Sequence, residues 1–290
     1  MTHCIYELPE IFKAIVINRP SKQCKSPYLA DIRIITSNKR DKITFNVRSE
    51  ECMAHSPSLG CAGLISSNSI VYVTKNTNTN TKSKYRIHLI EIIEQNKKII
   101  IGSNPNLAND IFNTILTSNI LNKFNNYNIK REYTIGNSRI DFLLEHKEQC
   151  DLKKILIEVK NVCLAYYEDI PLKELKKMDY SKYDLNSKIS IFPDCNRKIQ
   201  KNPISPRAIK HIDELIDAYK TNGYKSYLVF IIQRPDCKYF SPSKLDQTYY
   251  TKLKSAYKNN FIDILPIQIQ WITNKAYFKR ILDFDKDFIN

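Results

Sequence analysis

Ser138-Arg139-Ile140-Asp141-Phe142-Leu143-Leu144 and, after a charged loop from Glu145 to Lys154, Ile155-Leu156-Ile157-Glu158-Val159-Lys160-Asn161-Val162 are the stretches on which the reading of this chain turns. Both are short and apolar on both faces, as in strands of a mixed α/β sheet covered by helices on each side. Side chains alternate across a strand, so Glu158 and Lys160 project from one face while Val159 points to the other. A preceding strand that sets Asp141 beside them gathers two carboxylates and an ammonium at one spot. Magnesium-assisted hydrolysis of a phosphodiester calls for those groups: hard oxygen ligands for the ion, and a cation to orient water and offset developing charge. A cross-strand ion pair is the plainer reading of the same residues. The setting weighs against it, because charges in so apolar and central a strand are unfavourable unless paired or bound to metal.

The rest of the chain limits what such a site could belong to. Its 290 residues, 42% of them apolar, suffice for two modest domains with real cores. Lys and Arg number 45 against 30 Asp and Glu, a formal charge of +15. That excess favours anionic partners such as nucleic acid. A sequence rich in Lys, Asn and Ile with only 5 glycines also carries lysine for compositional reasons. The 8 cysteines, at 4, 24, 52, 61, 150, 163, 195 and 237, form no Cys-x-x-Cys pair, so they read as buried thiols of a reducing compartment rather than as a zinc site or disulfide framework. Neither a signal-peptide pattern nor a bilayer-length apolar run is present, which gives the expectation of a cytoplasmic protein with no membrane partner.

Two domains are expected, 1–95 and 96–290. In the first, Ala14 to Ile17, Tyr28 to Ile35, Ile43 to Val47, Ser69 to Val73 and Tyr85 to Ile93 read as closely spaced strands of a small barrel. The repeat Asn76-Thr77-Asn78-Thr79-Asn80-Thr81 reads as a polar hairpin loop, or as an arm that follows a phosphate backbone with Lys75, Lys82, Lys84 and Arg86. In the second, Leu107, Ile111, Ile115, Leu116 and Ile120 recur at helical spacing, and Ser205-Pro206 opens a helix closed by Gly223. Tyr227 to Ile232 reads as a buried strand, Arg234-Pro235-Asp236 as a turn, and Ile262 to Trp271 as an edge strand because of Pro266.

The motif strands, together with Phe192-Pro193-Asp194, Arg207-Ala208-Ile209-Lys210-His211-Ile212-Asp213-Glu214-Leu215 and Gln233-Arg234-Pro235-Asp236-Cys237-Lys238-Tyr239-Phe240-Ser241-Pro242, stand in the order found in the sugar fermentation stimulation protein A (SfsA) family, which this chain resembles. Tyr28-Leu29-Ala30-Asp31, Lys84-Tyr85 and Asn104 to Asn109 resemble it more weakly. The resemblance implies an α/β (α+β mixed) protein: an N-terminal OB-like β-barrel followed by a PD-(D/E)XK nuclease-like mixed-sheet domain. It also implies DNA binding without marked sequence preference, with RNA as the alternative partner, and a magnesium (or manganese) site. Carried over by position, Asp141, Glu158 and Lys160 are the nuclease triad, with Asp141 and Glu158 on the metal. Glu132 is a further acid, and Asp194, Arg207, Lys210 and His211 line the cleft. Arg139, Lys84 and Arg86 complete the candidate nucleic-acid contacts. The rival expectation is a DNA-binding regulator, linked to sugar metabolism in bacterial relatives, whose acids are relics or ion pairs. A carbohydrate-acting enzyme would need paired acids flanking a sugar, and Glu-X-Lys does not suggest them.

The chain departs from the family pattern at three places. It inserts residues from Asn196 to about Ile204, lengthens the loop from Leu172 to Lys188, and reads Ser58-Leu59-Gly60 where the family has Asn-Thr-Gly. Phe192-Pro193-Asp194 also reads as a tight turn, and His211, on the border of its helix's apolar face, as a half-buried helix residue.

Overall fold

A computed structural model describes residues 3–35, 50–58, 61–78, 80–136, 138–148, 153–195 and 204–289. The chain divides into two units: Met1–Leu107 with Gln233–Pro235 and Ile269–Phe278, and Ala108–Ile232 with Asp236–Gln268 and Lys279–Asn290.

The strands of the first unit are β1 (Cys4–Glu7), β2 (Phe12–Asn18), β3 (Leu29–Ile34), β4 (Cys52–His55), β5 (Ile70–Lys75), β6 (Tyr85–Glu94) and β7 (Lys97–Gly102). Antiparallel neighbours run in the order β4-β3-β2-β5-β6, and a parallel pairing of β4 with β6 at Ala54↔Tyr85 closes them into a five-stranded barrel of the OB kind. Every second side chain fills the interior: Ala14 and Val16, Ala30 and Ile32, Cys52 and Ala54, Val71 and Val73, Ile87 and Leu89. Alanines on three of the strands suit so narrow a barrel. β7 pairs with the outer side of β6, from Glu94↔Lys97 to Leu89↔Gly102. The expected strand Ile43 to Val47 lies outside the described residues. β4 is not legible in the sequence, because Cys-Met-Ala-His carries no Val, Ile, Thr, Tyr, Phe or Trp. The described residues of the Asn-Thr repeat lie in the β5–β6 connection, tied at its base, where the Asn76 main-chain N–H donates to the Lys84 carbonyl at 2.9 Å and its side-chain amide to the Ser83 carbonyl at 2.7 Å.

Outside the barrel interior, His88 is buried between β5 and the turn before the first helix. Asn104 Oδ1 accepts from the Asn106 N–H, so its amide nitrogen faces His88 Nδ1 at 3.1 Å, and Nε2–H donates to Thr74 Oγ1 at 3.0 Å. Both ring nitrogens are satisfied only in the neutral form. Burial, and then the charge of Arg86, lower the His88 pKa to about 4 from an ordinary 6.5. A depressed histidine pKa contributes stability that is present in full above the unfolded value, declines as pH falls through it, and is gone below the folded value. Between pH 7 and pH 4 this unit should therefore lose about 3 kcal/mol through His88 alone, at about 1.36 kcal/mol per pKa unit. Urea unfolding followed by the fluorescence of Trp271, the sole tryptophan, checks this: His88→Gln should flatten the pH dependence, and equal slopes for both proteins would refute it.

The second unit contains α1 (Leu107–Thr117), β8 (Tyr127–Ile135), β9 (Ser138–His146), β10 (Ile155–Val162), β11 (Ala165–Tyr166), α2 (Leu172–Leu175), β12 (Lys188–Phe192), α3 (Pro206–Asn222), β13 (Lys225–Ile232), β14 (Cys237–Pro242), α4 (Gln247–Lys258), β15 (Asp263–Ile272), β16 (Lys275–Ile281), β17 (Asp283–Phe284) and α5 (Lys286–Ile289). The first residue of α1, and the segment of the β15–β16 hairpin from 269 to 278, belong to the first unit, where β1 pairs with β16 at Cys4↔Tyr277. The main sheet runs β15-β13-β10-β9-β8, parallel across β10, β13 and β15 and antiparallel beyond. One face packs on α3 and α4 through Leu156, Val162, Leu228, Phe230, Ile212, Leu215 and Leu253. The other carries Phe142 against Phe112 of α1, ring centroids 5.6 Å apart. Helices on both faces account for the unbroken apolar runs of β10 and β13. A smaller sheet, β11-β12-β14-β17, lies beside it.

Three sequence expectations need correction. β15 is not an edge strand, since it lies between β13 and β16. Its Pro266 is tolerated because the carbonyl on that side accepts from Leu282, just past the end of β16, so the missing N–H falls where the ladder has already ended. Ser205 makes no side-chain cap on α3; its carbonyl begins the helix instead, and Gly223 closes it with φ 66° as expected. The cysteines are not uniformly buried, for Cys4 is exposed and Cys24 and Cys163 are half-buried, and those among the described residues are all free thiols. No helix among the described residues is long and apolar enough to cross a membrane.

Candidate active site

The β9–β10 ladder stops at Phe142↔Ile157. Two residues further along β10, the Val159 N–H finds the Asp141 carboxylate instead of a backbone carbonyl, Oδ2 at 2.7 Å. The two strands thus part where their acidic residues lie, and Asp141 Oδ1 accepts from the Asn109 amide of α1 at 2.6 Å. Burial, and then the negative charge of Glu158, raise the Asp141 carboxyl above its ordinary value, against the opposing pull of those two hydrogen bonds.

On β10, Glu158 and Lys160 share a face as the alternation requires, and Lys160 Nζ lies 2.6 Å from Glu158 Oε1. Their side chains are 4% and 12% exposed, so this is a desolvated pair. From α3, His211 reaches the same oxygen with Nδ1 while Arg207 Nε–H points at its Nε2, 3.4 Å away. The acceptor role of Nε2 leaves the Nδ1 hydrogen for Glu158. Lys160 Nζ also lies 2.9 Å from His211 Nδ1, so ammonium and imidazole converge on one carboxylate oxygen. Burial pushes the Glu158 carboxyl up, but the His211 hydrogen bond and the Lys160 charge together outweigh it and hold the pKa below the ordinary value. The other oxygen, Oε2, is buried with no hydrogen-bond partner.

The structure therefore brings Asp141, Glu158, Lys160, His211 and Arg207 into one group. His211 is buried rather than half-exposed, because α3 turns it onto Glu158. Other expected residues lie outside this group. Glu132, with φ 56° on β8, is exposed and pairs with Arg139, itself exposed. Lys210 pairs with Glu214 at 3.4 Å, and Glu214 also accepts from Ser138 Oγ. Asp194 adds its charge to those of Asp169 and Asp246 around Cys195, whose thiol burial pushes up to about 12. Lys84 and Arg86 belong to the first unit: Lys84 is exposed, 3.9 Å from Glu50, and the Arg86 Nε is buried without a partner. Asn109 ends one of the blocks that carry the family resemblance, and nothing in the sequence assigns it a role. Its hydrogen bond to Asp141 was not legible, since it joins a helix to a strand 32 residues away.

The donor set suits a hard divalent ion in part. A buried carboxylate with an orphaned oxygen and a half-buried one raised by burial and its neighbour's charge form an anionic site that a cation would satisfy. Among the described residues no group of three or more His, Cys, Asp or Glu could hold a metal, so an ion here would keep water in most of its positions, as magnesium does.

A two-unit α/β protein with an OB-like barrel, and a buried Glu beside half-buried Asp and Lys on the parting strands of a mixed sheet, is the class defined by fold and site. Residues 106–275 match the family model described as the sugar fermentation stimulation protein RE domain. The sugar fermentation stimulation protein homolog of Pelagibacter ubique is 32% identical over 222 residues, covering 75% of this chain and 80% of its own. That of Clostridium tetani is 31% identical over 246 residues, 84% and 85% of the two chains. The chain belongs to the sugar fermentation stimulation protein (SfsA) family. In fold it matches Pyrococcus furiosus SfsA, solved in complex with Ca2+, with a TM-score of 0.70 at 18% identity over 98% of this chain and 99% of that one.

Proposed function

We propose that the protein binds DNA without marked sequence preference and cleaves its phosphodiester backbone with a divalent cation held by Asp141 and Glu158, in the manner of PD-(D/E)XK nucleases. The observation that carries this reading is the buried, unpartnered Oε2 of Glu158 beside the half-buried carboxylate of Asp141. The Ca2+ complex of the Pyrococcus furiosus relative supports it. A bound cation would draw charge from the scissile phosphate and favour deprotonation of water. The protein's own groups divide the remaining work. Asn109 and the Val159 N–H fix the Asp141 carboxylate, and His211 fixes that of Glu158. Lys160 has N–H donors beyond the one on Glu158, which can orient the attacking water and stabilise charge gathering on phosphate oxygens. Arg207, exposed at the start of α3, is placed to hold an adjacent phosphate through its remaining N–H groups.

One observation favours a DNA binder that does not cut: Lys160 and His211 both occupy Glu158 Oε1, and the described residues offer no third acid. Labelled DNA and RNA incubated with magnesium, manganese or EDTA separate the two readings. Metal-dependent cutting of DNA, lost in Glu158→Ala, is expected; salt-sensitive retention without cutting by both proteins would leave only the binder.

A further inference from the structure

At the end of the second unit where β10, β13 and β15 begin, lysines gather over aromatic rings. Lys123 Nζ stands 4.5 Å from the Tyr227 ring and 5.1 Å from that of Phe124, and Lys225 lies 5.2 Å from Tyr227. Lys153 lies 5.8 Å from Tyr219, and Lys220 5.1 Å from Phe261, while the Tyr219 and Phe261 rings are themselves 5.4 Å apart. Two adjoining grooves share Phe261. One, of about 270 Å³, is lined by Lys153, Tyr219, Lys225, Ser226, Asn260 and Asp263; the other, of about 630 Å³, includes Lys220 and Lys252 between α3 and α4.

The charge here is not balanced locally. Lys225 is paired with Asp263 at 3.2 Å and Lys252 with Asp213, but Lys123, Lys153 and Lys220 have no ion-pair partner among the described residues. Burial lowers the Lys123 pKa; the pull of Asp263 opposes this, and the charge of Lys225 adds to the lowering by less. The rings set the lysine stems and keep the ammonium groups outward, so the grooves present fixed positive charge rather than a hydrophobic surface.

Helix α3 links this place to the candidate active site. Arg207 and His211 stand near its first turn and Lys220 in its last. Thirteen residues at 1.5 Å per residue separate Arg207 from Lys220 by about 20 Å, the span of about six phosphates along one duplex strand at 3.4 Å each. We infer that the lysine-lined grooves at the carboxyl end of α3, with Lys123 beside them over Tyr227, are a second phosphate-backbone contact, which anchors a nucleic acid about six nucleotides from the reacting phosphate. The inference rests on the nucleic-acid reading given above, and adds to it a position and a minimum substrate length.

The test is a salt titration of duplex binding by the full chain, comparing wild type with Lys123→Gln/Lys153→Gln/Lys220→Gln and with Arg207→Gln. Each lost phosphate contact lowers the magnitude of the slope of log K against log salt by about 0.9. The triple variant should lose close to three such increments and bind at least tenfold more weakly at 100 mM salt, on the order expected for three contacts. Its deficit should shrink on duplexes too short to reach from the reacting phosphate to the grooves, whereas that of Arg207→Gln should not depend on length. An unchanged slope in a triple variant whose thermal unfolding matches wild type would overturn the inference while leaving the DNA-binding reading intact. Failure of wild type to retain duplex at any salt would overturn both.

Discussion

Lys160→Met is expected to lower the rate of backbone cleavage by about 10²- to 10⁴-fold, the range seen when a positioned proton-transfer or charge-stabilising group is removed. Methionine keeps most of the length of the side chain and removes the ammonium, so the apolar contacts of β10 with α3 survive. Glu158 then loses one of its two cationic or polar partners and retains the His211 hydrogen bond. Removing one member of a buried pair also destabilises, by about 3–5 kcal/mol where nothing compensates. His211 on the same oxygen should hold the actual loss below that range. Cleavage under single-turnover conditions, read beside duplex retention, separates the two effects: retention should change by less than about threefold, because phosphate contacts elsewhere dominate affinity. Equal losses of cutting and retention would instead mark Lys160 as a binding residue.

The largest structural effect should come from a residue with no chemistry. Gly102 ends β7, and its N–H donates to the Gln233 carbonyl at 3.0 Å. A methyl group at that position would stand 2.7 Å from Trp271 Nε1 and 2.7 Å from Gln233 Cδ, and closer still to Gln233 Oε1. That oxygen accepts the Trp271 indole N–H at 2.8 Å, and both side chains are buried. Gly102→Ala must therefore force apart a buried hydrogen bond and overfill its surroundings. Adding about 1–3 kcal/mol for each effect gives a loss of about 2–6 kcal/mol. The midpoint of urea unfolding, followed by Trp271 emission, checks it. An unchanged midpoint would mean that the Gln233 side chain can withdraw at no cost.

Much of this architecture was legible because it rests on periodicity. Alternating small and β-branched residues mark β2, β3 and β5, and continuous apolar runs mark β10 and β13. The union of Glu158 with Lys160 followed from strand alternation alone. What was not legible depends on contacts between distant segments. Asn109 and the parting of β9 from β10 decide how Asp141 is held, yet neither leaves a periodic trace. His211 falls on the border of a helical wheel, and only the docking of α3 on β10 turns it inward. Pro266 misled for a related reason: the sequence shows a missing donor but not that the neighbouring ladder has ended beside it. Glu132 and Arg139 occupy positions expected for a cleft, and neutralise each other at the surface.

The central claim is that Asp141 and Glu158 hold a divalent ion for cutting DNA. The measurement that tests it most directly is cleavage of uniformly labelled duplex by wild type and Glu158→Ala, with retention on a filter scored from the same tubes, in EDTA, magnesium and manganese. The account predicts cutting by wild type in either metal, none in EDTA, and none by the variant, with retention the same for both proteins. Retention without cutting by wild type in every metal would contradict it, as would cutting that survives the loss of Glu158.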